Sequence, residues 1–368
     1  MSQPLATVVI VPRERFSLSI ASLESVVANS PPGTPLVVVD GNSPRSIARG
    51  LAQRCEQHGI RLLRSDRYLA PNAARNLGAA HVRTRYVVFV DNDVMVEKQW
   101  LRPLVEMAES SGAWAVGPLY CQGLPTASEV HMAGGDLRLE ATPAGHQLIE
   151  SHRFLGRRVH DVRSELRPGP TENLEFHTML MRMEYFDRFG PLDEKFTSMA
   201  EYVDALLPLH LAKLPVMLEP RSVITYVTPQ RFAWDDLEYF QLRWSIEWVT
   251  KNIAHMQQKW NLEASDPYCE RLLGFMRWHR PKILASLERR LSKWIGVQRA
   301  SLWRKEYLVP WEKQYNSWRF SSRSCAPGAR FSGEANRRYT RLVCEGTPVE
   351  SDCETALESM QLAVSLTH

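Results

Sequence analysis

At 368 residues, 44% of them hydrophobic, the chain has material for one large domain and a smaller appendage. A formal net charge of +4 is too slight a bias to indicate nucleic acid, and no apolar run approaches the ~18 residues that cross a bilayer. The opening Met1-Ser-Gln-Pro-Leu5 lacks a basic stretch followed by an apolar core, so a cytoplasmic chain is expected. Cys55, Cys121, Cys269, Cys325, Cys344 and Cys353 are scattered without a close CxxC pair and read as reduced thiols.

The first part of the chain alternates strand and helix patterns. Ala6 to Val11 reads as strand, Ser17 to Ala28 as helix, Leu36 to Asp40 as strand, Ser46 to His58 as helix and Ile60 to Leu63 as strand. Asn72 to Val82 then reads as helix, Tyr86 to Asp91 as strand, Leu101 to Ser110 as helix and Ala113 to Gly117 as strand. Such alternation implies right-handed crossovers and an α/β fold with a mostly parallel, Rossmann-like central sheet. Tyr86 to Val90 is β-branched and aromatic throughout, as in a strand buried on both faces.

The strand ends carry the chemistry. Tyr86 to Asp91 runs into Asp91-Asn92-Asp93, two carboxylates where an open α/β sheet binds ligands, and such a pair can hold a divalent cation against a diphosphate. Leu36 to Asp40 ends in one carboxylate followed by turn residues, which places Asp40 to accept bonds from a nucleobase or ribose. After the first strand stands Val11-Pro12-Arg13-Glu14-Arg15 rather than a glycine-rich loop, and no P-loop occurs. Phosphate charge must then be met by a metal on Asp91 and Asp93, magnesium or manganese, together with Arg75. Arg75 is a cation early in a helix, where acidic groups are usual, so it reads as answering an external anion.

The order of strand-Pro12, Val39-Asp40-Gly-Asn-Ser43, Asn72-Ala-Ala-Arg75-Asn76-Leu-Gly78 and Val90-Asp91-Asn92-Asp93 resembles the family 2 glycosyltransferases of the GT-A fold. The likeness runs from about residue 6 to about residue 228 and takes in Met132-Ala-Gly-Gly135, Met179-Leu-Met-Arg182 and Phe189-Gly-Pro-Leu-Asp193-Glu194-Lys-Phe196. It implies that Asp40 contacts the base of a nucleotide sugar and that the helix start at Arg75 lies near diphosphate and sugar. It further implies that Asp91 and Asp93 ligate the metal. Pro12, Glu14 and Asn92 are expected beside the nucleotide. A UDP-sugar donor is the commonest choice in the family, with a GDP-sugar as the alternative.

Transfer with inversion needs a general base opposite the leaving diphosphate. Relatives take it from a Glu-Asp helix start, whose counterpart is Met199-Ala200-Glu201-Tyr202-Val203-Asp204, with Tyr202 where the catalytic Asp falls. Glu201 is the first candidate and Asp204, one turn on, the second. In Ser222-Val-Ile-Thr225-Tyr226-Val227 the chain has Thr225 and Tyr226 where many relatives carry a metal- or diphosphate-binding His. His177 and His131 are candidates to stand in, and structural roles are open to both.

Residues 1–228 are thus expected as the catalytic domain, 229–320 as a helical region and 321–368 as a poorly structured tail ending in a possible helix. Nine of the eleven tryptophans lie from Trp234 to Trp318, and Glu270 to Lys313 holds eleven Lys/Arg against four Glu. Ile283, Leu284, Leu287, Leu291, Trp294 and Ile295 share one helical face, with Lys282, Arg289, Arg290 and Lys293 on the others. This suits either packing on the catalytic domain or peripheral contact with an anionic inner membrane surface. No nucleic-acid module accompanies these residues. Saccharide, lipid-linked or small-molecule acceptors all fit. Two other function classes stand beside glycosyl transfer: a catalytically silent membrane-associated scaffold, and a nucleotidyltransferase, which wants a glycine that the first loop lacks.

Overall fold

The computed structural model describes residues 3–124, 128–228 and 232–320. In chain order the first half comprises β1 (Ala6–Val11), α1 (Ser19–Asn29), β2 (Leu36–Asp40), α2 (Arg45–Gln57), β3 (Arg61–Arg64), α3 (Pro71–Ala79), β4 (Tyr86–Asp91), β5 (Val94–Val96) and α4 (Leu101–Ser111). There follow β6 (Ala115–Gly123), β7 (Glu129–Met132), β8 (Leu137–Thr142), β9 (Gly145–Glu150), α5 (Val159–Val162), β10 (Gly169–Pro170), β11 (Thr178–Arg182), α6 (Glu184–Phe189), α7 (Glu201–Leu211) and β12 (Val216–Val227). The remainder is helical: α8 (Trp234–Arg243), α9 (Ile246–Lys259), α10 (Pro267–His279), α11 (Ala285–Ile295), α12 (Val297–Trp303) and α13 (Val309–Phe320), with tighter or wider turns at Arg280–Leu284 and Arg304–Leu308.

The main sheet runs β10-β12-β6-β11-β4-β1-β2-β3, with β5 on β12 and β7 on β6; β8 and β9 form a separate hairpin. β1 pairs in parallel with β2 and β4, and β2 with β3, so the expected parallel α/β sheet is present. β1, β2 and β4 begin and end where the sequence pattern places them; the sixth strand starts at Ala115, two residues late, and runs on to Gly123. All six residues of β4 are buried, as a continuous apolar run flanked on both sides requires.

β11 is the one member of the central four strands, β6, β11, β4 and β1, that runs antiparallel, pairing Thr178 with Val90 and Arg182 with Tyr86. That reversal sets the start of β11 beside the end of β4. The consequence is that His177 sits next to Asp91, whose N–H donates to the His177 carbonyl at 3.1 Å.

The composition shift at residue 228 is not a packing boundary. Trp244, Trp248 and Trp260 are buried, and the Tyr239 hydroxyl donates to the Leu69 carbonyl at 2.8 Å. Helices α8 to α10 therefore belong to the catalytic core, whereas α11 contributes no buried residue. Cys55, Cys121 and Cys269 are free thiols. The expected tail, its helix and the other three cysteines lie outside the described residues.

Candidate functional site

Gly78 explains how the buried cation reaches the sheet edge. A Cβ there would stand 2.2 Å from Val9 Cγ1, so only glycine lets α3 lie this close to β1. Arg75, three residues earlier, is wholly buried. Its guanidinium donates to Asp91 Oδ1 at 3.0 Å and to Asn72 Oδ1 at 3.2 Å, lies 3.6 Å from Glu201 Oε1, and covers the Phe176 ring at 4.0 Å. Burial lowers its pKa, against the pull of Asp91 and Glu201.

The two carboxylates of Asp91-Asn92-Asp93 have opposite surroundings. Asp91 takes Arg75 on one oxygen and Arg13 Nη1 on the other, also at 3.0 Å. Burial would raise its pKa, but Arg75, His177 and Arg13 outweigh it and hold the group well below the usual carboxylate range. Asp93 is equally buried, and neither of its oxygens has a hydrogen-bond partner. Burial pushes its pKa up to about 7, with Arg15 opposing and Glu14 and Asp91 adding to the rise. A bare buried carboxylate is costly unless something cationic joins it.

His177 stands beside the same pair. Its Nδ1 lies 3.4 Å from Asp91 Oδ2 without hydrogen-bond geometry, and burial and Arg13 lower its pKa to about 4, so the ring is neutral and able to ligate. One donor atom from each of Asp91, Asp93 and His177 falls within 4.8 Å of the others. An oxygen-oxygen-imidazole set suits a divalent ion such as Mn2+. Tyr226, which with Thr225 stands where the resemblance leads one to expect a histidine, stacks on His177 with ring centroids 4.2 Å apart. The imidazole thus comes from the start of β11 instead of from β12.

The other expected nucleotide contacts divide into two kinds. Asp40 stays at the strand end, accepting from the Ser43 N–H at 2.8 Å, the Ser43 hydroxyl at 3.0 Å and Arg64. Pro12 is buried against Gly41, where a Cβ would meet Pro12 Cγ at 2.9 Å. Asn92 and Glu14, by contrast, face protein. Asn92 accepts from the Arg13 N–H at 2.9 Å and donates to the Arg15 carbonyl and Ser19 hydroxyl, pinning the loop after β1. Glu14 accepts from Tyr226 at 2.8 Å and Trp244 Nε1 at 3.0 Å, with His279 at 3.3 Å.

At the start of α7, Ala200 adopts the left-handed region at φ 62°, a strained setting for a residue with a Cβ. Glu201 follows, 3.3 Å from Arg243 and 3.6 Å from Arg75. Asp204 accepts from Lys259 Nζ at 2.9 Å and from Trp260 Nε1 at 3.0 Å. The Tyr202 hydroxyl donates to Glu150 at 3.2 Å. The structure thus gathers Asp91, Asp93, Arg75 and Glu201 around one edge and sets Asp204 against the helical region.

Reasoning from sequence passed over Arg13 and did not place His177. The signal for His177 was present: a polar pair, His177-Thr178, entering an apolar strand that must run antiparallel to sit beside β4. Arg13 carried none, since an arginine in a loop is ordinary.

Residues 7–188 match the family described as "Glycosyl transferase family 2", a segment holding Asp40, Arg75, Asp91, Asp93 and His177. Among curated proteins, "Putative polypeptide N-acetylgalactosaminyltransferase 13" of Drosophila melanogaster is 23% identical over 234 residues, 60% of this chain and 41% of that protein. "Succinoglycan biosynthesis protein ExoO" of Rhizobium meliloti (strain 1021) is 29% identical over 110 residues, 30% of this chain and 31% of that protein. The chain thus spans less than half the length of these relatives. Among solved structures, GalNAc-T7 with UDP, GalNAc and Mn2+ aligns with TM-score 0.48 at 13% identity, over 76% of this chain and 59% of the other. Mannosyltransferase PcManGT from Pyrobaculum calidifontis with GDP-Man and Mn2+ aligns with TM-score 0.46 at 13% identity, over 94% and 89%. The chain belongs to glycosyl transferase family 2.

Proposed function

We propose that the protein transfers a sugar, with inversion, from a nucleoside-diphosphate sugar to an acceptor hydroxyl. The observation that carries this reading is the buried Asp93 carboxylate, both oxygens unpartnered, beside a neutral His177 and an Asp91 already neutralised by two arginines. A divalent cation held by Asp91, Asp93 and His177 would neutralise the charge that grows on a departing diphosphate. Arg13 and Arg75 bring fixed positive charge to the same edge. Asp40, at the end of β2, and Pro12, packed on Gly41, are assigned to the nucleoside. Glu14 and Asn92 are assigned to shaping the loop that carries Arg13.

The sugar leaves through an oxocarbenium-like state, and the acceptor must lose a proton as it attacks. We assign that proton to Glu201, the carboxylate of α7 that faces Arg75. Asp204, bonded by Lys259 and Trp260, is assigned to fastening α7 to the helices that follow. The exposed tryptophans of α11 to α13, set among Lys and Arg, support contact with an anionic inner membrane surface and so a lipid-linked or polysaccharide acceptor. No described helix is long and apolar enough to cross a membrane.

Calorimetric titration with UDP and GDP, with and without Mn2+, tests the donor site. One nucleotide is expected to bind only with Mn2+, and Asp93→Asn to weaken it by ~100-fold or more, about 2.7 kcal/mol. If neither nucleotide binds under any of these conditions, the donor reading fails and a silent scaffold becomes the better account.

A further inference from the structure

A second cluster of ligating side chains lies beyond His177, on the side of Glu175 away from Asp91. Its formation starts with Gly134-Gly135. Gly134 has φ +70°, and a Cβ on Gly135 would stand 1.8 Å from the Ser151 carbonyl oxygen. Two glycines therefore let the chain after β7 lie directly against the segment after β9, with Arg153 N–H donating to the Gly134 carbonyl at 2.9 Å. This close approach sets His152 against His131, ring centroids 5.2 Å apart and nearly perpendicular at 79°. Glu175, from the segment leading into β11, enters between them.

His131 Nε2 lies 2.7 Å from Glu175 Oε2, and His152 Nε2 lies 3.7 Å from Glu175 Oε1. One ligand atom from each of the three side chains falls within 4.8 Å of the others. The outer contacts orient both rings. His131 Nδ1 faces Gln122 Oε1 at 3.0 Å, and the Gln122 amide nitrogen in turn donates to Glu129, so Nδ1–H donates to Gln122 while Nε2 is hydrogen-bonded to Glu175 through a proton that a cation would displace. His152 is hydrogen-bonded to the His131 backbone, and the Nε2 it turns to Glu175 also pairs with Glu150 at 2.8 Å on the ligand side of the ring. A second partner on the far nitrogen that fixes the tautomer is the arrangement found behind metal-bound imidazoles. The two rings are 17% and 15% exposed, so the cluster opens to solvent while Glu175 is buried.

We infer that His131, His152 and Glu175 form a second cation site, of the Zn2+ class. Two imidazoles and one carboxylate with an open position are the donor set of catalytic zinc, and two imidazoles select against Mg2+ and Ca2+. The site is separate from the Asp93 site but joined to it, because His177 Nε2 lies 3.3 Å from the same Glu175 oxygen while Nδ1 faces Asp91. It also stands near Tyr202, which replaces the family's usual carboxylate and donates to Glu150. Resting on the glycosyl-transfer reading, the use of the site is to bind the acceptor hydroxyl and make its proton easier to remove, with Glu201 receiving it.

The experiment strips the full chain with chelator, reloads it with Zn2+ or Co2+, and measures metal content and the visible Co2+ spectrum without nucleotide. Two ions per chain are expected in the wild type, one at each site, and one in Asp93→Asn with the tetrahedral-intensity Co2+ band retained, whereas His131→Gln/His152→Gln should lose one ion and that band. Circular dichroism checks the fold. If the double variant is unfolded, His152→Gln alone is read, with an affinity drop of at least ~10-fold expected. A wild type that retains no ion, ion content and band unchanged in the histidine variant, or loss of the band in Asp93→Asn each overturns the site. Failure of UDP and GDP to bind leaves these readouts untouched, so the two readings fail separately.

Discussion

Helices α8 to α10 and α11 to α13 share a composition, tryptophan among basic residues, but differ in what they bury: Trp244, Trp248 and Trp260 of the first group enter the core while Trp234 and Trp278 stay exposed, and all four tryptophans of the second are exposed. In the first group each of two indoles meets a carboxylate of the catalytic core: Trp244 Nε1 donates to Glu14 and Trp260 Nε1 to Asp204. In the second, Trp294 is 88% and Trp318 75% exposed. The difference teaches that a tryptophan is drawn inward here where its N–H has a waiting acceptor and its ring a wall of apolar neighbours. Helical periodicity alone leaves both outcomes open. It also means that two acidic residues expected at the site, Glu14 beside the nucleotide and Asp204 as the second candidate base, accept hydrogen bonds from the first helical group.

The comparison breaks most readily at Trp260. Trp260→Ala removes a buried ring and leaves Asp204 without one of its donors, and a loss of about 3 to 5 kcal/mol in urea unfolding is expected. Asp204→Asn should cost less, about 1 to 3 kcal/mol, because Lys259 is a third exposed and can turn to water. If Asp204→Asn instead leaves stability unchanged while eliminating turnover, the carboxylate is the base and the assignment to Glu201 is wrong.

Asp91 and Asp93 offer the same contrast on a smaller scale, one carboxylate satisfied and one bare. Because burial holds the Asp93 proton up to about 7, the folded chain binds it more tightly than the unfolded chain, whose carboxyl titrates near ~4. Without a cation, stability is therefore lost as pH rises from about 4 to about 7. Binding of Mn2+ needs the ionised form, so its affinity should fall up to ~10-fold, about 1.4 kcal/mol, per pH unit below about 7. Melting curves and calorimetry across that range check both slopes, and Asp93→Asn should flatten them.

Much of this was legible beforehand. β1, β2 and β4 end where their apolar runs end, Asp40 and Asp91 close β2 and β4 with Asp93 two residues on, and Arg75 reaches Asp91 from helix α3. What sequence spacing leaves out is strand direction. The antiparallel course of β11 brings His177, a residue 84 positions beyond Asp93, to the same edge, and the approach of Ser151 to Gly135 pairs His131 with His152. Residues matched to a family's pattern can likewise turn away from the site, as Asn92 does when it secures the loop after β1.

Ala200 sharpens the account of Glu201 at lower energy. Its left-handed backbone starts α7 at the turn that aims Glu201 toward Arg75 and Arg243. Ala200→Gly relieves the strain and should raise stability by about 1 kcal/mol, read as a higher urea midpoint at unchanged slope. A fall in stability would mean that the Ala200 methyl, which is buried, contributes more by packing than the backbone costs.

The smallest expected effect on folding lies in the second helical group. Replacing Trp294, Trp303, Trp311 and Trp318 with serine should change stability by no more than about 0.5 kcal/mol each, because these rings are 49 to 88% exposed and their ring partners, Tyr307 for Trp303 and Tyr315 for Trp311 and Trp318, lie within a turn or so on the same helical segment. The same variant should lose cosedimentation with vesicles containing anionic phospholipid, while the wild type binds them and ignores neutral ones. Salt separates the contributions: raising ionic strength weakens the Lys and Arg attraction within a Debye length but leaves ring insertion in place. A wild type that sediments with neither vesicle shows that this face meets something other than lipid. A variant that melts several degrees lower shows that these indoles belong to the core after all, and then the contrast between the two helical groups disappears.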